Sequence, residues 1–154
     1  MKRKIFGVIP ARYASVRFPG KPLALIDGLP MVVRVWRRAN EAGIFDGLTV
    51  ATEDERIVAV CRDHGVPAVM TRADHPSGTD RVHEAAGCPG AAGAEIIVNV
   101  QGDEPLVDPR ALERLVAPLV DRPAGEVAAA SVYAPLADAA DFANPNVVKV
   151  VLAA

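Results

Sequence analysis

The residues best suited to chemistry fall in three stretches. The first is Ile9-Pro10-Ala11-Arg12-Tyr13-Ala14-Ser15-Val16-Arg17-Phe18-Pro19-Gly20-Lys21-Pro22-Leu23. It follows an apolar run and carries the cations Arg12, Arg17 and Lys21, with Pro19 and Gly20 to turn the chain. Guanidinium groups can grip phosphate oxygens in bidentate fashion, and an ammonium adds a point charge. A cationic loop leaving a buried strand near the chain start is where an α/β domain would hold a polyphosphate. The stretch is neither a Walker A loop nor a G-x-G-x-x-G dinucleotide fingerprint. The same residues would also suit solvated cations on a Pro/Gly turn.

The second stretch is Val100-Gln101-Gly102-Asp103-Glu104-Pro105. An apolar strand runs into a glycine turn and then two carboxylates. An Asp at a strand end can hold Mg²⁺ when phosphates and water fill the other positions. Adjacent side chains in extended backbone diverge, so Asp103 is preferred over Glu104 as ligand. A turn Asp bonded to its own backbone is the alternative.

The third is Thr71-Arg72-Ala73-Asp74-His75-Pro76-Ser77-Gly78-Thr79-Asp80-Arg81. Ser77-Gly78-Thr79 opens a helix whose free N–H groups would point at a ligand. Arg72, His75 and Ser77 could read a base or a sugar. Ser77 or Thr79 would equally serve as a helix cap, Thr79 above all. His75 and His83 find no cysteine or third histidine to complete a zinc set. The sequence displays no Ser/His/Asp or Cys/His nucleophile pattern. Cys61 and Trp36 lie on apolar helix faces and read as core, and His64 suits a helix C-terminus.

Elements that position these stretches alternate between strand and helix. Strands are expected at 4–9, 48–51, 68–70, 95–100, 127–133 and 147–152. Helices are expected at 31–42, 53–64, 79–86 and Pro109–Val120. In the first helix Met31, Val32, Val35, Trp36 and Ala39 share a face, with Arg34, Arg37, Arg38 and Glu41 opposite. The alternation predicts a three-layer α/β/α domain on a mostly parallel sheet. Ligands bind such sheets at the carboxyl ends of the strands, where all three polar stretches fall. The 147–152 run is β-rich and apolar at the end of the sequence. It is expected to be a central strand placed late, or to need a following segment to cover it.

Composition narrows the field. The 154 residues fit one domain, 1–154, able to bury a core. Hydrophobic residues make up 51% and aromatics only 5%, so Val, Ile, Leu and Ala must build that core. A net charge of −2 offers no global field for nucleic acid. Cys61 and Cys88 form neither a disulfide framework nor a zinc pattern, which suits a reducing cytosol. No apolar run reaches the length of a membrane span or a signal-peptide core, so no membrane association is expected.

In order and spacing, the three stretches resemble the 3-deoxy-manno-octulosonate cytidylyltransferase (CMP-Kdo synthetase) family. Asn144-Pro145-Asn146-Val147-Val148-Lys149-Val150-Val151 resembles it too, and the likeness runs the whole length of the chain. The resemblance implies a nucleotide-diphospho-sugar transferase-like fold and the reaction CTP + Kdo → CMP-Kdo + pyrophosphate. It implies Mg²⁺ as cofactor, the bacterial cytoplasm as location and lipopolysaccharide assembly as destination. By resemblance Arg12, Arg17 and Lys21 hold the triphosphate, and Ala11, Arg72, His75, Ser77 and Gly78 surround the cytidine. Asp103 holds Mg²⁺, Gln101 faces the sugar acid, and Arg12, Lys21 and Asp103 are the catalytic set.

Family members continue past residue 154, and the chain is expected to be C-terminally incomplete. The further part supplies a second metal-binding Asp, several Kdo contacts and most of a homodimer interface. Asp138 and Asp141 match that Asp by residue type only. Phe18 stands where members commonly carry Leu. Two alternatives follow: a CTP-binding remnant without turnover, and a cytidylyltransferase for another acid sugar, such as a sialic acid. The run from Tyr13 to Lys21 looks Kdo-type and favours the first family.

Overall fold

The computed structural model describes residues 3–14, 18–136 and 138–151. In chain order the elements are β1 (Ile5–Ala11), β2 (Leu25–Ile26), β3 (Leu29–Pro30), α1 (Met31–Asn40), β4 (Gly47–Thr52), α2 (Glu55–Asp63), β5 (Ala68–Met70), α3 (Gly78–Ala85), β6 (Ile96–Asn99), α4 (Pro109–Val120) and α5 (Ala139–Ala143). Single 3₁₀ turns lie at Lys21–Leu23 and Pro89–Ala91.

Four strands form one sheet in the order β5-β4-β1-β6, all parallel. β1 is central and nearly all buried, as a strand covered on both faces must be. Its alternate residues feed two cores. Ile5, Ile9 and Ala11 pack with Met31, Val32, Val35, Ile57, Cys61, Leu112 and Val116 from α1, α2 and α4. Phe6 and Val8 pack with Ala51, Val82, Ala85 and Ala91 on the α3 side. The expected three layers follow directly from this period-2 division of one strand.

Helix starts obey local chemistry. Asp54 caps α2 and Asp108 caps α4, each accepting from the backbone N–H two residues on. Pro109 occupies the first turn of α4, where its missing N–H costs nothing. Ser77, rather than Thr79, caps α3, because the helix begins one residue earlier than its periodicity suggests. His64 stands at the α2 C-cap and Cys61 is fully buried, as expected. Trp36 is half-buried at the core edge, and its indole N–H donates to the Leu48 carbonyl at 3.1 Å.

Two expected strands are absent among the described residues. Residues 127–133 run irregularly, with Val127 to Val132 lining an 820 Å³ cavity beside the free edge of β6. Residues 147–151 are likewise irregular, with Val148 and Val151 more than nine-tenths exposed. A strand exists only through its ladder of hydrogen bonds. Among the described residues neither run pairs with a sheet neighbour, so β-branched composition alone does not make it one. The small β2–β3 hairpin turns through Asp27 and Gly28, both at positive φ, and lies where a loop was expected. The short helix α5 was also unforeseen.

Candidate active site

The sheet order reverses about β1: its C-terminal end continues to β4 and β5 on one side and to β6 on the other. Such a switch point opens a crevice at the strand ends. The crevice here is a cleft of about 490 Å³ lined by Pro10, Ala11, Arg12, Lys21, Pro22, Met31, Gly78, Gln101, Gly102 and Asp103. Six residues chosen from sequence thus meet in one place: Ala11, Arg12, Lys21, Gly78, Gln101 and Asp103.

Each arrives by a definite route. β1 delivers Ala11 and Arg12 at its end. A 3₁₀ turn brings Lys21 back over the cleft, entered through Gly20 in left-handed conformation (φ 72°). β6 ends at Asn99, and the Gln101-Gly102-Asp103 turn folds over the end of β1. Gly102 is obligatory in that packing, since a Cβ there would stand 2.4 Å from the Pro10 carbonyl oxygen. Gly78 is the first residue of α3, at the helix end that carries partial positive charge.

Charges in the cleft are already paired. Lys21 Nζ lies 2.8 Å from Asp103 Oδ2. Arg12 Nη2 donates to the His75 carbonyl oxygen at 2.7 Å, which ties the end of β1 to the loop before α3. Gln101 lines both this cleft and the larger cavity along β6.

Arg72 and His75 lie around a neighbouring cavity of about 500 Å³, with Pro76, Asp80, His83 and Glu84. The His75 ring is almost fully buried, and Nε2 meets the Glu84 carboxylate. The backbone N–H of Arg72 also donates to Glu84. Those bonds, the His75 one first, hold the Glu84 carboxyl below its ordinary range. The Ser77 hydroxyl is committed to capping α3, and its bond to Asp80 lowers that carboxyl's pKa. Ser77 lines neither cavity among its described contacts. Arg17 lies outside the described residues. Asp138 caps α5, accepting from Ala140 N–H at 2.9 Å, and neither it nor Asp141 lines the cleft.

Sequence reasoning missed a second layer behind the cleft. Arg81, fully buried, stands 2.8 Å from Glu53, and Glu53 accepts the Tyr13 backbone N–H at 3.1 Å. Arg56 stacks over the Tyr13 ring, 3.3 Å from its centroid. One signal was available: an arginine in α3 adjoining the apolar positions Val82 and Ala85 must find a buried partner.

The cytidylyltransferase family model matches residues 6–154. The chain belongs to this family. Among curated relatives it is similar to 3-deoxy-manno-octulosonate cytidylyltransferase of Acidovorax sp. (strain JS42), 54% identical over 145 residues, covering 94% of this chain and 54% of the relative. The same-named protein of Nitratidesulfovibrio vulgaris (strain DP4) is 51% identical over 152 residues, covering 99% of this chain and 59% of that one. The chain therefore spans between half and two-thirds of the length of these relatives.

A solved CMP:2-keto-3-deoxy-manno-octonic acid synthetase complexed with CTP superposes with a TM-score of 0.73 at 45% identity, over 79% of this chain and 49% of that one. A cytidylyltransferase from Leptospira borgpetersenii (TM-score 0.61, 24% identity, 74% of this chain and 48% of that one) shares the fold. The family's nucleotidyltransferase architecture is thus the three-layer fold expected from the sequence. The switch-point cleft lies at the strand ends, where sheets of this kind bind ligands.

Proposed function

We propose that the chain carries the CTP-binding half of a 3-deoxy-manno-octulosonate cytidylyltransferase, the enzyme that transfers CMP from CTP to the anomeric hydroxyl of Kdo. The observation that carries this reading is the gathering of Arg12, Lys21, Gln101 and Asp103 in one cleft at the strand ends. The relatives of the same name, 51–54% identical, support the choice of substrates.

In this reading Arg12, Arg17 and Lys21 take the triphosphate. Ala11 and Gly78 would lie beside the cytidine in the cleft, with Arg72 and His75 reaching it only from the neighbouring cavity and Ser77 acting as the α3 cap, and Gln101 faces the sugar acid. The Kdo hydroxyl oxygen bonds to the α-phosphorus as the bond to the bridging oxygen of pyrophosphate breaks, and the hydroxyl proton passes to solvent. Negative charge grows on the non-bridging and departing oxygens. Fixed cations stabilise it without having to reorganise, so positioning and electrostatics carry the rate. Arg12 is already held in place by the His75 carbonyl.

The residues fit Mg²⁺. One carboxylate beside phosphate-facing cations suits an ion that takes one or two protein carboxylates and completes its shell with phosphate and water. Among the described residues no group of three or more His, Cys, Asp or Glu could hold a metal without such help. Asp103 would hold the ion, which when bound supplies charge neutralisation on the polyphosphate. Lys21, paired with Asp103 in this structure, would then be the cation available to the phosphates.

The test is pyrophosphate release from CTP and Kdo with Mg²⁺, run beside CTP-dependent thermal stabilisation. A second reading is CTP binding without turnover. Stabilisation without pyrophosphate supports that reading. No effect of CTP in either assay rejects both.

A further inference from the structure

The layer behind the cleft links its two sides. Arg81 is wholly enclosed, and its Nη2 stands 2.8 Å from Glu53 Oε2. Its Nη1 donates to the Thr71 hydroxyl and, at 3.3 Å, to the Arg72 carbonyl. Those residues begin the loop that leads to α3. The other oxygen of Glu53 accepts the Tyr13 N–H at 3.1 Å. Tyr13 in turn accepts the Gly20 N–H on its carbonyl at 2.9 Å, closing the cationic loop on itself. Gly20 also lies against the Tyr13 ring: a Cβ there would be 3.2 Å from Cε2.

Buried charge of this kind is costly unless paired, and replacing it by apolar side chains often leaves stability unchanged or improved. Burial and the neighbouring Arg12 push the Arg81 pKa down, while Glu53 and Glu84 oppose them. An arrangement that is weak as a stabiliser but fixes a carboxylate against one backbone N–H suits orientation.

We propose that Glu53, clamped by Arg81, is a positioning residue that holds the phosphate-binding loop in register through the Tyr13 amide. This rests on the proposed role of that loop in triphosphate binding. Glu53 itself touches no reacting atom. It fixes where the loop leaves β1, and the Tyr13–Gly20 bond passes that position on to Lys21.

The test compares two double variants of the full chain. Glu53→Gln with Arg81→Met removes both buried charges and keeps an acceptor for Tyr13 N–H. Glu53→Leu with Arg81→Met removes the charges and the acceptor together. Neither leaves an unpaired ion, so both should fold, with circular dichroism as the check. Binding of CTP and of CMP is measured by calorimetry, and amide exchange at Tyr13 and Gly20 by NMR.

The expected result is CTP affinity at least tenfold weaker in the Leu variant than in the Gln variant, with equal CMP affinity and loss of protection at Tyr13 and Gly20 in the Leu variant alone. Equal CTP affinity and equal protection in the two variants would overturn the proposal. Differential protection in a chain that binds no CTP keeps Glu53 as the loop's anchor and rejects the triphosphate reading instead. A Leu variant that fails to fold while the Gln variant folds assigns the acceptor to stability and also overturns it.

Discussion

Lys21 Nζ and Asp103 Oδ2, 82 positions apart in sequence, meet at 2.8 Å across the mouth of the cleft. Both side chains remain partly open to solvent, so the pair is screened and adds on the order of 0.2–1 kcal/mol to stability. Its importance is electrical: each group faces a charge of the same sign as the one it would meet in a metal–triphosphate complex, Asp103 standing in for phosphate and Lys21 for the metal.

Lys21→Ala should therefore leave the melting temperature within about 4 °C of the parent, as loss of a weak surface pair implies. CTP affinity should fall about tenfold to a hundredfold, because hydrogen bonds to charged groups contribute about 1.5–3 kcal/mol. Calorimetric titration with CTP, paired with thermal unfolding, separates the two effects. A melting point lowered strongly with affinity intact would assign Lys21 to structure alone.

Asp103→Asn keeps the side-chain shape and removes the anion. CTP binding should lose its dependence on Mg²⁺, and any pyrophosphate release should disappear. Titrating Mg²⁺ or adding a chelator during CTP binding reads this directly. A variant whose Mg²⁺ response matches the parent would remove Asp103 from the site.

Gly102→Ala drives a Cβ to 2.4 Å from a backbone oxygen of β1, the central strand. Strand backbone cannot yield as a flexible side chain would, so the Gln101–Asp103 turn must lift. Stability should fall by about 1–3 kcal/mol, the usual range for overpacking. The lifted turn should also weaken CTP binding. Urea unfolding and CTP titration of the same variant provide the check, and parent-like values in both would contradict the close packing.

Glu84 links stability to acid. Its carboxyl is held below the ordinary value of 4.5, chiefly by His75. A depressed carboxyl stabilises the fold fully above its unfolded pKa, and that stabilisation fades as pH falls through the folded one. Thermal unfolding between pH 3 and pH 7 should show a loss on the acid side that Glu84→Gln makes shallower. Parallel curves for the two proteins would contradict the assignment.

The two cysteines should react very differently. Burial pushes the Cys61 thiol up to about 11, whereas Cys88 is partly exposed. A chromogenic disulfide reagent at pH 8 should label Cys88 promptly and Cys61 only upon unfolding. Fast labelling of both in the native protein would mean that α2 opens readily.

Much was legible in the sequence because it is local or periodic. The helix over Pro109–Val120 and the strand over Ala68–Met70 carry their own start, stop and alternation signals, and the structure keeps both spans. The three polar stretches follow strand ends, and parallel topology by itself sends such ends to one rim, which is why Arg12, Gln101 and Asp103 could be grouped without coordinates.

Contact between distant groups was decided only by tertiary structure. Nothing in residues 127–133 or 147–151 distinguishes a strand from an apolar run without a ladder partner, since the partner, not the run, supplies the hydrogen bonds. Likewise no spacing announces that Glu53 reaches both Arg81 and the Tyr13 amide, or that Lys21 is paired with Asp103. Residue types and strand ends determined which polar groups this chain sends to one rim of the sheet. Packing about β1 decided which charges face each other, because a Coulomb interaction depends on separation in space and not along the chain.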